Sequence, residues 1–75
     1  MKASLKLTAV FEEATEGGYI SYIEEIPGVN SQGDTYEEAK TNLAEALELI
    51  LDTRRMLSIK ELENKKVIRE NLELV

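Results

Sequence analysis

The segment from Ile26 to Ala39 constrains the fold most strongly, because it combines a chain reversal with the start of a helix in fourteen residues. Pro27 lacks a backbone donor and has a fixed φ, whereas Gly28 tolerates a positive φ. The Pro27-Gly28 pair therefore predicts a tight turn that ends the preceding strand.

A helix start follows this turn at Gly33, Asp34 and Thr35. Thr35 is a favourable N-cap residue, and Glu38 is placed to bond back to the cap's own N–H, as in a capping box. We expect Pro27, Gly28, Gly33, Asp34 and Thr35 to serve backbone geometry. If φ at Gly33 is positive, a side chain there should be strongly destabilising.

From Tyr36 the apolar residues recur every three or four positions, which predicts a helix over about 36–56. At ~1.5 Å per residue this helix would be roughly 30 Å long and would cross a whole sheet. We expect the apolar stripe of this helix to pack on the face of the first strand that carries its odd-numbered residues. The stripe consists of Ala39, Leu43, Ala46, Leu47, Ile50 and Leu51.

Three strands are predicted before the helix, over about 3–12, 19–26 and 29–33. The first shows an alternation of apolar and polar residues, and Gly17-Gly18 suits a hairpin connection to the second. The second strand carries apolar residues on both faces, so the sequence leaves open which face meets the helix. The third is short and polar.

The C-terminal part of the chain is less regular. The segment 58–62 begins with capping-box spacing and predicts a short second helical turn. The segment 67–74 is interpreted as a last strand at the edge of the sheet, with a frayed helix as the alternative. The complete prediction is a single α+β domain over 1–75 with the order β-β-β-α-β.

The charge of the chain is acidic and unevenly distributed. Fifteen acidic and nine basic residues give a net charge of −6. Residues 1–52 contain eleven acidic and three basic residues, whereas 53–75 contain four acidic and six basic residues. The acidic half is either a solubilising surface or a face that binds a basic protein. The basic residues after Asp52 are too few and scattered to read a DNA groove, so no direct binding to nucleic acid is expected.

The composition argues against catalysis. The chain has no cysteine and no histidine, which removes thiol chemistry, His-based acid–base chemistry and the usual zinc ligands. Glu12 and Asp34 are the only acids placed for a possible paired metal site, and two carboxylates alone make a weak one. We predict no enzyme activity, no metal and no cofactor. No signal peptide or membrane span is expected, and a cytoplasmic location fits.

Four residues are candidates for binding a protein partner: Tyr22, Tyr36, Glu37 and Glu38. Tyrosine is enriched at protein interfaces, and Tyr36 lies in the first helical turn beside acidic residues. The alternative for the tyrosines is partial packing in the core. For Glu37 and Glu38 it is a favourable interaction with the helix dipole.

The order of motifs resembles the HicB family of bacterial antitoxins. A strand opened by Gly17-Gly18-Tyr19 runs into the Pro27-Gly28 turn, and Ser31-Gln32-Gly33-Asp34-Thr35-Tyr36-Glu37-Glu38-Ala39 then heads the helix. The resemblance covers residues 5 to about 52. It implies a partial ribonuclease H-like fold.

The same resemblance implies an antitoxin that neutralises a small basic HicA-type ribonuclease by covering its active site. Such a toxin has a double-stranded-RNA-binding-domain fold and a catalytic histidine. Full-length HicB proteins generally add a DNA-binding domain, a feature without a counterpart in these 75 residues. The alternative function is a homo-oligomeric structural or regulatory domain without a toxin. The small size of the domain favours a dimer or tetramer in either case.

Overall fold

The computed structural model describes residues 6–72. Three strands are followed by one helix: β1 (Ala9–Glu13), β2 (Tyr19–Ile23), β3 (Asn30–Gly33) and α1 (Tyr36–Glu61). The prediction of an α+β domain with a three-stranded sheet and one long helix is confirmed.

The three strands form an antiparallel sheet in the order β1-β2-β3. Ser21 at the centre of β2 lies opposite Phe11 of β1 and Ser31 of β3. Because strand side chains alternate, these three residues share one face. Ser21 donates a hydrogen bond to the helix, so this face meets α1. The question of which face of the second strand meets the helix is thereby resolved.

Two glycines shape the hairpin between β1 and β2. The amide N–H of Gly17 donates to the carbonyl of Ala14, and that of Ala14 donates to Gly18, both at 3.0 Å. Gly17 and Gly18 have φ values of 98° and 77°, a region that disfavours residues with a side chain. A Cβ on Gly18 would also lie 2.7 Å from the carbonyl oxygen of Gly33.

The Pro27-Gly28 turn forms as predicted. Gly28 has φ of 94°, and the N–H of Val29 closes the turn on the carbonyl of Ile26 at 3.4 Å. The strand β2 ends at Ile23, three residues before the predicted limit, because the chain already bends back there.

The helix α1 is longer than predicted. It continues to Glu61 and includes most of the segment expected to start a separate helical turn. The reason is that residues 54–61 contain neither Gly nor Pro to interrupt the helix. Leu62 caps the end of the helix, and its N–H donates to the carbonyl of Ser58 at 3.0 Å. Asn64 then adopts a positive φ of 64°, a conformation that asparagine tolerates.

A small core lies between α1 and the sheet. Among residues 6–72 its buried hydrophobic members are Ile23, Val29, Ala39 and Leu43, with Ile26, Ala46, Leu47 and Ile50 packed around them. The odd-numbered side of β1 faces α1 as expected, through Phe11, but the helix packs mainly on β3 and β2 and only marginally on β1. Only two residues separate β3 from α1, so the helix starts above β3.

The predicted strand over 67–74 is wrong in its described part. Residues 67–72 have no regular secondary structure, while 73 and 74 lie outside the described residues. Ile68 and Leu72 are 89% and 84% exposed, so neither apolar side chain packs against the edge of the sheet. A relationship to the ribonuclease H fold stays a prediction.

Candidate functional site: the acidic outer face of the helix

The start of α1 is fixed by a reciprocal pair of side-chain bonds. Thr35 has an extended backbone, and its Oγ1 accepts from the N–H of Glu38 at 3.1 Å. The carboxylate of Glu38 accepts in turn from the N–H of Asp34 at 3.3 Å. The return bond therefore reaches Asp34 and not Thr35, one residue further than predicted. Glu38 serves the helix start, which makes it a poor candidate for binding a partner.

Tyr36 follows the cap directly and is held by an aromatic contact. Its ring lies 4.6 Å from that of Phe11 in β1, centroid to centroid, at an interplanar angle of 58°. The residue nevertheless stays 44% exposed. Tyr36 therefore presents a partly exposed aromatic surface beside the first helical turn.

A shallow groove of about 540 Å3 runs from Tyr36 along a solvent-exposed side of α1. We call it the outer groove; it is lined by Tyr36, Glu37, Lys40, Thr41, Ala44, Glu45 and Glu48. The small side chain of Ala44 leaves room between longer neighbours. Three carboxylates against one ammonium group make the groove negative.

The sequence prediction contained only part of this groove. It named Tyr36 and Glu37 but not the other lining residues, which are Lys40, Thr41, Ala44, Glu45 and Glu48. The spacing of Glu37, Thr41, Ala44 and Glu48 follows the helical repeat. A search for polar residues opposite the apolar stripe would have found them.

Tyr22 lies elsewhere. It pairs with Val10 of β1 and Asn30 of β3, on the sheet face opposite the one that meets α1. We call this second surface the open sheet face; it consists of Val10, Glu12, Ile20, Tyr22, Asn30 and Gln32. The structure therefore brings Tyr36 and Glu37 together but separates Tyr22 from both.

Gly33 has a different role from the one expected. Positive φ values among the described glycines occur at Gly17, Gly18 and Gly28, so Gly33 needs no special backbone conformation. A Cβ there would lie 2.5 Å from the amide nitrogen of Ala39 and 2.9 Å from the Cβ of Glu38. Gly33 thus lets the first turn of α1 approach the sheet closely.

Glu25 carries the one resolved pKa shift within residues 6–72. Its carboxylate accepts from the Oγ1 of Thr8 at 2.6 Å and from the N–H of Thr8 at 2.7 Å. These two bonds stabilise the charged form and lower the pKa of Glu25 below its ordinary value of 4.5. These two hydrogen bonds connect Thr8, just before β1, to Glu25 in the segment after β2. They lie away from the outer groove.

The described residues offer no metal-binding cluster. Over 6–72, no three Asp or Glu side chains come close enough together to hold an ion. Glu12 lies on the open sheet face, and Asp34 precedes the helix cap. In the same part of the chain, no helix is both long and apolar enough to cross a bilayer.

Comparisons with known proteins define the family of the chain. Residues 1–59 match the family described as UPF0150-like. A UPF0150 protein of Synechocystis is 52% identical over 54 residues, which are 72% of either chain.

Two further relatives match shorter parts. A second UPF0150 protein of Synechocystis is 41% identical over 46 residues, or 61% of this chain and 58% of that protein. A UPF0150 protein of Helicobacter pylori is 44% identical over 45 residues, or 60% and 61% of the two chains. No solved structure matches the sequence. By the extent of these matches, the chain belongs to the UPF0150-like family.

Proposed function

We propose that this chain is a non-catalytic, antitoxin-like protein that binds and neutralises a small basic ribonuclease of the HicA type. The observation that carries the proposal is the outer groove, where a partly exposed tyrosine lies beside three carboxylates. The resemblance of residues 5 to 52 to the HicB family indicates the class of partner, which is a HicA-type ribonuclease. Both proteins of the pair would act in the cytoplasm.

The charge of the groove explains why the partner is basic. Glu37, Glu45 and Glu48 outnumber Lys40 along one helix face, so their joint field attracts a positive surface. A ribonuclease needs such a surface to bind RNA phosphates. An acidic protein seated there repels RNA and also blocks its access, which is a sufficient mechanism of inhibition.

Tyr36 supplies the apolar part of the contact. Buried aromatic side chains are frequent centres of binding energy at interfaces. The contact with Phe11 already restricts the ring, so binding costs less conformational entropy than it would for a free side chain. We expect Tyr36 to insert into a cleft of the ribonuclease while the carboxylates surround it.

A growth experiment in the native host's gene context tests this function. The gene beside that of this chain should encode a short basic protein with a Gly-Ser-His motif. Its expression should arrest growth, and co-expression of the present chain should restore it. A neighbouring toxin that this chain fails to neutralise would contradict the proposal, as would the absence of such a gene.

Matched charge reversals then test the surface. The double variant E37K/E48K should no longer restore growth, because it reverses the sign of the charge in the outer groove. The double variant E12K/E24K changes the net charge equally at exposed positions outside the groove, and it should still rescue. If E12K/E24K loses the rescue and E37K/E48K keeps it, the outer groove is the wrong surface.

The alternative function, a homo-oligomeric domain without a toxin, is favoured by one observation. Ile20 is 41% exposed on the open sheet face, next to Val10 and Tyr22. A second copy would cover these apolar side chains. Under this alternative, Ile20→Glu should dissociate the oligomer, and no neighbouring toxin gene should exist.

A further inference from the structure

The second half of α1 extends beyond the sheet that the first half covers. A helix of 26 residues is about 39 Å long, whereas a strand of five residues spans about 17 Å. The buried helix residues are Ala39 and Leu43, and contact with the core ends at Ile50. The last eleven residues of α1 therefore have little of the sheet beneath them.

An apolar seam begins at Leu49 and continues along one side of this projecting part. Leu49, Thr53, Met56 and Lys60 follow at spacings of four, three and four, the repeat by which two helices pack along a common line. Leu49 is 67% exposed and Met56 is 71% exposed. Two large apolar side chains one heptad apart thus lie uncovered on the same helix face.

A groove beside the seam offers room for side chains of a second helix. It has a volume of about 440 Å3 and lies between the Pro27-Gly28 turn and the helix. Leu49, Ile50 and Leu57 supply its apolar wall. Leu57 is itself 56% exposed, because the core stripe continues past the edge of the sheet.

The charges along the seam favour an antiparallel second copy. Glu45 lies one turn before Leu49, and Lys60 lies one turn after Met56. A parallel alignment of two copies would place Glu45 beside the partner's Glu45 and Lys60 beside the partner's Lys60, so that like charges repel. An antiparallel alignment with a two-fold axis between Asp52 and Thr53 places Leu49 against the partner's Met56, and Glu45 against the partner's Lys60.

The two-fold axis repeats each of these contacts, as in other symmetric dimers. The core of a single copy is small, with four buried hydrophobic side chains in residues 6–72. Domains of this size gain much from association. We propose that two copies of this chain associate through an antiparallel pair of α1 helices, with Leu49 and Met56 at the centre and Glu45–Lys60 ion pairs at the ends.

This inference does not rest on the antitoxin function. Glu45 lines both the outer groove and the seam, whereas Glu37 and Glu48 lie farther round the helix. The variants E37K/E48K should therefore leave the dimer intact.

Light scattering coupled to size-exclusion chromatography of the full chain tests the proposal. The wild type should elute as a dimer, and L49E and M56E should elute as monomers with an unchanged helical circular dichroism spectrum. Ile68→Glu is the matched control, because Ile68 is 89% exposed outside the seam, and it should remain dimeric. A tetramer that L49E reduces to a smaller species also supports the seam.

A charge swap tests the antiparallel register independently of folding. E45K and K60E should each raise the dimer dissociation constant about tenfold, because each places two like-charge pairs across the axis. The double variant E45K/K60E should restore the wild-type value. A monomeric wild type, an oligomer unaffected by L49E and M56E, or a double variant as weak as the single ones would overturn the proposal.

Discussion

The hydroxyl of Ser21, at the centre of the middle strand, donates a hydrogen bond of 3.1 Å to the carbonyl oxygen of Ala39 in the helix. Both residues are buried, at 1% and 0% exposure. The small serine side chain lets the helix backbone approach the sheet, and its hydroxyl finds an acceptor there. Together with the packing of Leu43 against Ile23 and Val29, this contact positions α1 on the sheet.

Removing this hydroxyl should weaken the fold. Ser21→Ala should lower the free energy of unfolding by about 1 kcal/mol, the usual contribution of one hydrogen bond. Ser21→Val should cost more, about 1–3 kcal/mol, because the added methyl groups press against the helix. Urea unfolding measures both values. Ser31→Ala, at the half-buried cross-strand neighbour, is the control and should cost less; equal losses at both serines would contradict this role for Ser21.

Gly33 and Gly28 should respond differently to the same substitution. Gly33→Asn should destabilise the protein by about 1–3 kcal/mol through steric overlap, since a Cβ there meets the amide of Ala39. Gly28→Asn should cost less, because space around Gly28 is open and asparagine tolerates a positive φ. Thermal unfolding monitored by circular dichroism compares the two, and a larger loss at Gly28 would show that φ dominates.

The helix cap should contribute measurably to stability. Thr35→Ala removes the oxygen that accepts from Glu38 N–H and should cost about 0.5–2 kcal/mol. Thr35→Ser keeps an oxygen at this position and should be nearly neutral. Denaturant titration distinguishes the two variants, and similar losses for alanine and serine would contradict capping by the hydroxyl.

Acidification should weaken the protein partly through Glu25. Because the pKa of Glu25 is lower in the folded state than its ordinary value of 4.5, its stabilising effect is fully present above that value. The effect is lost as the pH falls through the lower pKa of the folded state. Glu25→Gln should therefore show a smaller loss of stability between neutral and acidic pH than the wild type. Urea midpoints measured across this range would contradict the account if both proteins declined equally.

The local signals in the sequence predicted the parts of the fold that depend on backbone chemistry. Pro27-Gly28 predicted the turn, because Pro fixes φ and Gly tolerates a positive φ. Thr35 with Glu38 predicted the helix start, because their side chains can accept from the free N–H groups there. The side of β2 that meets the helix could not be predicted, since Ile20 and Ile23 are equally apolar. The structure identifies it by the hydrogen bond from Ser21 to Ala39 and by the burial of Ile23 in the core, while Ile20 stays exposed.

Other features depended on tertiary contacts that no local pattern encodes. The alternation in the C-terminal segment fitted a strand, but Ile68 and Leu72 are exposed, and residues 67–72 have no regular secondary structure. Of the residues that line the outer groove, the sequence singled out Tyr36 and Glu37, which are adjacent in the chain, as candidates for binding a partner. Other residues of the groove, such as Ala44 and Glu48, are farther away in the sequence and join Tyr36 and Glu37 only on the surface of the folded helix.

Calorimetric titration of this protein with the purified product of the neighbouring toxin gene that the proposed function requires tests the central claim most directly, using two tyrosine variants of confirmed fold. The wild type should bind one ribonuclease per chain. Tyr36→Ala should weaken the affinity by at least about tenfold, as expected for an aromatic centre of binding energy, and Tyr22→Ala should leave it unchanged. Absence of binding by the wild type, or weakening by Tyr22→Ala alone, would contradict the account.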